Sequence, residues 1–208
     1  MDECLPRLSA TVPGAACASC LDRGMEMTFK PHHDPTHLYF VTATIMGWKR
    51  LFTNPIYAEI VLQSLDWHRS HERWSLFVFV IMPTHIHFVI QPLGEQTIST
   101  VLQSFGSYTA HAILNQLQRD GRIGLLAFFT QRQDRDAGKQ HQIWLPIEAK
   151  NIYSVEFLRQ KVEYTHNNPV AKHWHLVDDR ADYVYSSACF YDRDKPPVIA
   201  IDDVREWM

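Results

Sequence analysis

The sequence predicts an α+β protein in which an antiparallel sheet carries helices on one face. Three runs rich in β-branched and aromatic residues have the composition of strands, and they cover 37–45, 74–82 and 86–92. Segments with apolar residues at helical spacing lie between and after these runs. The resulting order of strand, helix, strand pair, helix, helix is typical of a sheet flanked by helices.

The first helix is predicted by the residues at its start. After the strand "HLYFVTATI", the segment "NPIYAEIVLQSLDWHR" opens with Asn54 as N-cap and Pro55 at the first helical position. The apolar positions then follow a helical period. We expect the buried stripe of this helix to contain Ile56, Tyr57, Ile60, Val61, Ser64 and Leu65.

A strand pair and two further helices follow. The strands "WSLFVFVIM" and "IHFVIQP" are separated by a tight connection that contains Pro83. A second helix is predicted from Thr97 to Gln118, and its apolar stripe would be Ile98, Val101, Leu102, Phe105 and Ile113. Gly121 would stop it. The third helix, "VEFLRQKVEYTHNN", begins after Ser154 as N-cap and ends before Pro169.

The remaining segments have weaker patterns. Residues 119–150 contain a short apolar patch and then a charged stretch, which predicts a loop. The segment "YVYSSACFY" at 183–191 is interpreted as a strand or as a packed aromatic segment. We therefore divide the chain into an irregular extension at 1–36, one domain at 37–191 and a tail at 192–208.

Composition indicates an ordinary globular protein. Of the 208 residues 46% are hydrophobic and 12% aromatic, and no apolar run approaches the roughly 20 residues of a membrane span. The acidic start has no apolar signal core, so we expect no export signal. Four cysteines are too few for a disulfide framework, which favours a cytoplasmic location. A zinc site at Cys17 and Cys20 would need two more ligands, and only His32 and His33 are near; we favour disordered cysteines.

The charge distribution permits a phosphate ligand without requiring one. The net charge is −3, yet residues 37–177 hold 13 Lys and Arg against 10 Asp and Glu. This excess is well below the basic stripe that duplex-binding proteins carry. A phosphate-containing partner is therefore compatible with the sequence.

Two histidines occur in an otherwise apolar strand, "VFVIMPTHIHFVIQP". Because side chains alternate along a strand, His85 and His87 point the same way, about 7 Å apart. Neutral imidazoles at that spacing can converge on one divalent metal ion. The alternative is that each histidine is an ordinary core or edge residue, and the spacing alone leaves both interpretations open.

A second group of polar residues ends the third helix in "KVEYTHNNPVAKHWHLV". Tyr164 and Asn168 are four residues apart, so they are neighbours on one face of the last turn. The phenol is a possible nucleophile, and the amide oxygen is a possible third metal ligand. The alternative is that Tyr164 packs in the core while Asn167, Asn168 and Pro169 only terminate the helix. Considered alone, this segment favours the alternative.

The two segments together resemble a known family. "MPTHIHFVI" is similar to the His–hydrophobic–His strand of the HUH nucleases, and "YTHNNPVAKHWHLVDDRADYVYSSACFY" is similar to the tyrosine segment of their single-tyrosine branch, the REP-associated tyrosine transposases. The resemblance covers about His37 to Tyr191. The matching positions of the second segment are Tyr164, His166, Asn168, Pro169 and Val170, followed by Asp182, Tyr183, Ser186 and Ser187.

The resemblance implies a fold, an activity and a set of roles. The fold would be an antiparallel sheet flanked by helices. His85, His87 and Asn168 would bind a divalent metal, Mg²⁺ or Mn²⁺, and Tyr164 would be the catalytic nucleophile. The activity would be transposase-type nicking and rejoining of single-stranded DNA through a 5′-phosphotyrosine. The partner would be single-stranded or hairpin DNA, and the location would be the nucleoid in the cytoplasm. The protein would be a monomer or a homodimer and would contact no membrane.

Several expectations are more open. Candidates for contact with the DNA backbone are Lys49, Arg50, Arg119, Arg122, Arg132 and Arg135, although each alone could be a solvated surface charge. His166 could assist proton transfer or be structural. Two other functions compete with strand transfer: a domesticated protein that binds nucleic acid without cleaving it, and a metal-dependent phosphoesterase that acts on a small nucleotide.

Overall fold

A computed structural model describes residues 37–131 and 142–208 of the chain. The predicted extension at 1–36, with its cysteines, and the candidate DNA contacts Arg132 and Arg135 lie outside these ranges. No helix within the described ranges is long and apolar enough to cross a membrane.

The centre of the fold is a four-stranded sheet. Its strands are β1 (Leu38–Thr44), β2 (Trp74–Ile81), β3 (His85–Pro92) and β4 (Glu148–Ile152). They pair antiparallel in the order β2-β3-β1-β4, which confirms the predicted α+β class. The edge strand β4 was not predicted. Its sequence "EAKNI" is mostly polar and leaves only its last residue buried, so pairing with β1 determines the strand.

Five α-helices accompany the sheet in the described ranges. They are α1 (Pro55–Ser70), α2 (Ile98–Arg119), α3 (Ile123–Gln131), α4 (Val155–Asn167) and α5 (Ala188–Arg193). The predicted N-caps Asn54 and Ser154 are confirmed, since each accepts a hydrogen bond from a backbone N–H in the first turn. Thr97, predicted as the start of the second helix, is the N-cap of α2. The loop predicted for 119–150 is wrong in part, because it contains α3 and the start of β4. The sequence of α3, "IGLLAFFTQ", is too uniformly apolar to show a helical period.

Helices cover both faces of the sheet, which corrects the prediction of one covered face. The larger core joins α1 and α2 to one face, where Ile86, Phe88 and Ile90 of β3 are buried. A smaller core joins α4 to the other face through Leu38, Phe40, Val89, Leu158 and Val162. The largely apolar sequences of β2 and β3 reflect burial on both faces. Because His85 and His87 alternate with Ile86 and Phe88, they share the face that α4 covers.

The buried stripe of α1 differs from the predicted one. Ile56 is exposed, whereas Ala58, Leu62 and His68 are buried beside the expected Tyr57, Val61, Ser64 and Leu65. The His68 ring stacks on Trp74 with ring centroids 4.4 Å apart, so a polar residue contributes to this interface.

The outer edge of β2 is covered by residues 183–187. Ile81 N donates to the carbonyl of Tyr185 (2.8 Å), and Ser187 N donates to that of Phe79 (3.0 Å). The Tyr183 hydroxyl donates to the Ile81 carbonyl (2.8 Å). The segment predicted as a strand or an aromatic segment is therefore a single bridge followed by α5. It satisfies backbone groups that an open edge would leave unpaired.

The C-terminal residues are anchored to the domain. The Asp202 carboxylate accepts from the guanidinium of Arg69 on α1 (2.7 Å) and from the backbone N–H of Leu76 on β2 (2.9 Å). Val204 is fully buried in the smaller core. The predicted tail at 192–208 thus packs against the sheet and α1.

Candidate active site

The two strand histidines lie side by side beneath α4. His85 and His87 are both buried, and their ring centroids are 4.8 Å apart. On β1 they pair with Thr44 and Thr42, respectively. The two imidazoles therefore point to the same side of the sheet, as the strand alternation predicts.

His87 is held as a neutral imidazole with one free nitrogen. Its Nδ1 lies 3.0 Å from the Thr42 hydroxyl, a group that can donate or accept. Burial, with smaller contributions from the charges of His85 and Lys161, lowers the pKa of His87 to about 3. Its Nε2 is buried without a partner among the described residues. This nitrogen is consequently the one available to bind a ligand in the site.

His85 is joined to the end of α4 by Asn168. Its Nδ1 lies 3.0 Å from the Thr84 hydroxyl. Burial lowers the pKa of His85, and the hydrogen bond with the Asn168 side chain opposes this effect. The Asn168 Nδ2 donates to the carbonyl of Tyr164 (2.8 Å), which leaves the amide oxygen to face the imidazole. The orientation of the amide is thus determined by the helix that it ends.

Tyr164 stands at the rim of this group. Its ring contacts His87 edge-on, with centroids 5.1 Å apart, and contacts Phe40 at 6.0 Å. The side chain is nevertheless 48% exposed. This exposure contradicts the alternative in which Tyr164 is a core residue. The structure therefore brings together the four residues Tyr164, His85, His87 and Asn168, which are predicted from two separate segments.

The donor set fits a divalent cation. Two neutral imidazoles are donors that suit divalent transition metals, and an amide oxygen is a donor that suits Mg²⁺ and Mn²⁺. The unpartnered Nε2 of His87 is the specific observation in favour, because a buried polar atom without a partner is costly. Within the described ranges there is no group of three or more His, Cys, Asp and Glu side chains suited to a metal. Among the described residues, the amide of Asn168 is thus the candidate for a third donor.

Lys161 is a site residue that the sequence reasoning missed. It lies one turn before Tyr164 on α4, and its Nζ is 5.5 Å from the Tyr164 ring centre and 4.8 Å from that of Phe40. Burial and the charge of Lys150 lower the pKa of Lys161. The i, i+3 spacing of "KVEY" would have indicated this neighbour.

The predicted DNA contacts are divided between two parts of the molecule. Lys49 and Arg50 follow β1 in the loop beside His85: the Lys49 Nζ lies 4.5 Å from the Phe128 ring centre, and the Arg50 guanidinium lies 5.6 Å from that of Trp174. Trp174 in turn contacts His85 at 5.8 Å. Arg119 and Arg122 are exposed at the end of α2, a helix that packs on the opposite face of the sheet.

His166 points into the protein. Its Nε2 lies 2.9 Å from the Ser187 hydroxyl, and its ring contacts Tyr191 at 5.3 Å. It is fully buried, and desolvation lowers its pKa to about 4. These contacts favour the structural interpretation of His166. Asp182, Tyr183 and Ser186 likewise contact the scaffold: Asp182 pairs with Arg193 at 2.6 Å, and the other two residues cover the edge of β2.

Solved structures similar to this chain are transposases. One, a REP-associated tyrosine transposase bound to a REP hairpin, is 17% identical, with 85% of this chain and 92% of that chain covered and a TM-score of 0.57. Another, a crystal structure assigned as a transposase from Deinococcus radiodurans R1, is 12% identical, with 63% and 88% covered and a TM-score of 0.41. No protein-family profile and no curated protein sequence matches the chain. The chain therefore has the fold of a REP-associated tyrosine transposase.

Proposed function

We propose that this protein nicks and rejoins single-stranded DNA through a covalent bond to Tyr164. One observation carries the proposal: a half-exposed phenol contacts a buried neutral histidine whose Nε2 has no partner among the described residues. A potential nucleophile at the surface is thus adjacent to a buried potential metal ligand. The transposase fold supports DNA as the substrate.

The metal-binding role would belong to three side chains. His85, His87 and Asn168 would hold a divalent cation, Mg²⁺ or Mn²⁺, which when bound withdraws charge from a phosphate group. Burial keeps both imidazoles neutral, so their nitrogen lone pairs are available near neutral pH. The Asn168 side chain donates through Nδ2 to the Tyr164 carbonyl and is also hydrogen-bonded with His85, so it is held beside one of the two imidazoles.

The covalent step would exchange one phosphoester for another. The Tyr164 oxygen forms a bond to phosphorus while the bond from phosphorus to the 3′-oxygen breaks. The phenol proton passes to solvent, which the half-exposed side chain contacts, and the departing 3′-oxygen takes a proton. The Lys161 ammonium supplies positive charge beside the phenol. Because the ester is conserved, the 3′-hydroxyl of a strand can reverse the step and join DNA without ATP.

Hairpin DNA with a single-stranded flank is the proposed substrate. The similar transposase structure is bound to a REP hairpin, and this chain has the same fold. A single-stranded flank can bring a phosphate to an exposed tyrosine while its bases stack on aromatic side chains. The mildly basic 37–177 segment is compatible with this partner.

A covalent-trapping experiment tests the proposal. Hairpins with random single-stranded flanks, labelled at the 3′ end, are incubated with the protein and Mn²⁺ and separated under denaturing conditions. We expect a labelled protein band that disappears in Tyr164→Phe and with EDTA. Tyr108→Phe, which alters an exposed tyrosine on α2, should leave the band intact.

Each contrary result has a definite meaning. An adduct that persists in Tyr164→Phe contradicts the assignment of the nucleophile. Cleavage without an adduct indicates a metal-dependent phosphoesterase. Binding of DNA without cleavage indicates the non-cleaving nucleic-acid-binding protein.

A further inference from the structure

Exposed aromatic residues flank the candidate site on both sides. Ring contacts, bridged at one point by the Lys161 ammonium between Phe40 and Phe157, lead from one side of the histidine pair to the other. We call this series the aromatic strip. Its members other than the histidines are Trp48, Trp174, Tyr164, Phe40, Phe157 and Tyr153. No part of the proposed chemistry at Tyr164 requires the two ends of this strip.

One end of the strip is Trp48. Its ring contacts His85 edge-on, with centroids 6.2 Å apart, yet the side chain is 61% exposed. Trp174 lies on another side of the same histidine, and the Arg50 guanidinium lies over the Trp174 ring. A large apolar ring is therefore held at the surface directly beside a candidate metal ligand. Such exposure is unusual for tryptophan and points to a binding role.

The backbone that presents Trp48 is strained. Trp48 has φ of +53°, a conformation that non-glycine residues rarely adopt, and Gly47 before it has φ of +66°. A Cβ at Gly47 would lie 2.6 Å from the Phe128 ring, so glycine is required for this close approach. Strain of this kind persists where the surrounding structure imposes it, frequently at functional sites.

The other end of the strip is Tyr153, which precedes α4. It is 77% exposed, and its ring stacks on Phe157 with centroids 5.0 Å apart and an interplanar angle of 14°. The Lys161 Nζ lies 5.0 Å from the Phe157 ring and 4.8 Å from Phe40, which stacks on His87. The contacts thus lead from Tyr153 back to the histidine pair.

Positive charge accompanies the rings along the strip. Arg50 lies over Trp174 at one end, and Lys161 lies among Phe40, Phe157 and Tyr164 toward the other. Lys150 is close enough to lower the pKa of Lys161. Aromatic faces with interspersed cations match an unpaired strand, which offers base faces and phosphates together. A duplex keeps its bases stacked inside and cannot use the rings.

We propose that the aromatic strip is the path of single-stranded DNA across the site, with bases on opposite sides of the reacting phosphate stacked on Trp48 and on Tyr153. The placement of the reacting phosphate rests on the proposed function. Stacking on the two end rings does not depend on the chemistry, so it can be measured separately.

Fluorescence anisotropy with a labelled twelve-nucleotide oligothymidylate tests the strip. All variants are made in a Tyr164→Phe background, which retains the ring and prevents covalent attachment. We expect Trp48→Ala and Tyr153→Ala each to weaken binding about tenfold, since stacking of one base has a large effect on affinity. Trp48→Phe should recover part of the loss. A duplex of equal length should compete poorly.

Matched controls lie on the opposite face of the sheet. Trp67→Ala on α1 and Tyr108→Ala on α2 remove rings that are about half exposed, and they should leave affinity unchanged. Strip variants that bind as tightly as these controls would overturn the proposal, as would a duplex that competes as well as the single strand. If the trapping experiment yields the Tyr164 adduct but the strip variants bind oligothymidylate with unchanged affinity, the strip is refuted and the chemistry is not. Strip-dependent binding without an adduct would refute only the chemistry.

Discussion

The imidazole of His87 is oriented by residues of the neighbouring strand β1. Its Nδ1 lies 3.0 Å from the Thr42 hydroxyl, which leaves Nε2 as the ring nitrogen without a partner among the described residues. Partners of this kind hold the ring of a metal-binding histidine and increase its basicity. The residue that determines the state of His87 is therefore separated from it by 45 positions in the sequence.

Replacement of the Thr42 hydroxyl should weaken metal binding. Thr42→Val keeps the shape of the side chain and removes the partner of His87 Nδ1. We expect the affinity for Mn²⁺, measured by isothermal titration calorimetry, to fall about tenfold. Thr42→Ser retains the hydroxyl and should bind Mn²⁺ as the native chain does. Equal affinities of the Val and Ser variants would show that Thr42 does not support a metal ligand.

At the scale of the element, α4 carries three residues of the candidate site. Lys161, Tyr164 and Asn168 are spaced three and four residues apart, so they share one face of the helix and its end. An adjacent stripe, which contains Leu158 and Val162, packs on the sheet. Burial of one stripe therefore fixes the rotation of α4 and places the other stripe over β3.

The start of α4 should contribute measurably to stability. The Ser154 hydroxyl accepts from the backbone N–H of Phe157 (3.2 Å). Ser154→Ala removes this cap, and we expect the free energy of unfolding in urea to fall by about 1 kcal/mol. Ser154→Asp restores an acceptor and places negative charge at the helix N-terminus, so it should unfold as the native chain does. A stable Ala variant would mean that packing alone determines where α4 begins.

At the scale of the whole molecule, α4 and the segment after it enclose buried neutral histidines. Burial lowers the pKa of His85, His87 and His166. A histidine whose pKa is lowered by folding contributes no pH dependence above its unfolded value of about 6.5. Below that pH the unfolded chain binds a proton that the native chain rejects, so stability falls with decreasing pH.

His166 should account for a defined part of this pH dependence. Its pKa is lowered to about 4. The free energy of unfolding should therefore fall between about pH 6.5 and about pH 4, by roughly 3 kcal/mol in total. His166→Gln offers Ser187 a polar group but does not titrate. Urea unfolding at several pH values should show a shallower decline in the Gln variant, because His85 and His87 contribute equally to both proteins. Parallel curves would contradict the burial of a neutral His166.

Local signals in the sequence were sufficient for much of the fold. The caps at Asn54 and Ser154, the start of α2 near Thr97, and the strands around Pro83 depend on residues close together in the chain. Two elements were missed for physical reasons. The edge strand β4 is polar because it is largely solvated, and α3 is apolar without a period. Neither pattern distinguishes its element from a loop.

The sequence by itself determined which side chains could act, because strand alternation aligns His85 with His87 and helical spacing aligns Tyr164 with Asn168. Only the tertiary structure decided that these pairs meet, since that depends on which face of the sheet α4 covers. It also decided the neutrality of His87 and the exposure of Trp48 and Tyr153. Burial and desolvation depend on neighbours distant in the chain, and no local pattern encodes them.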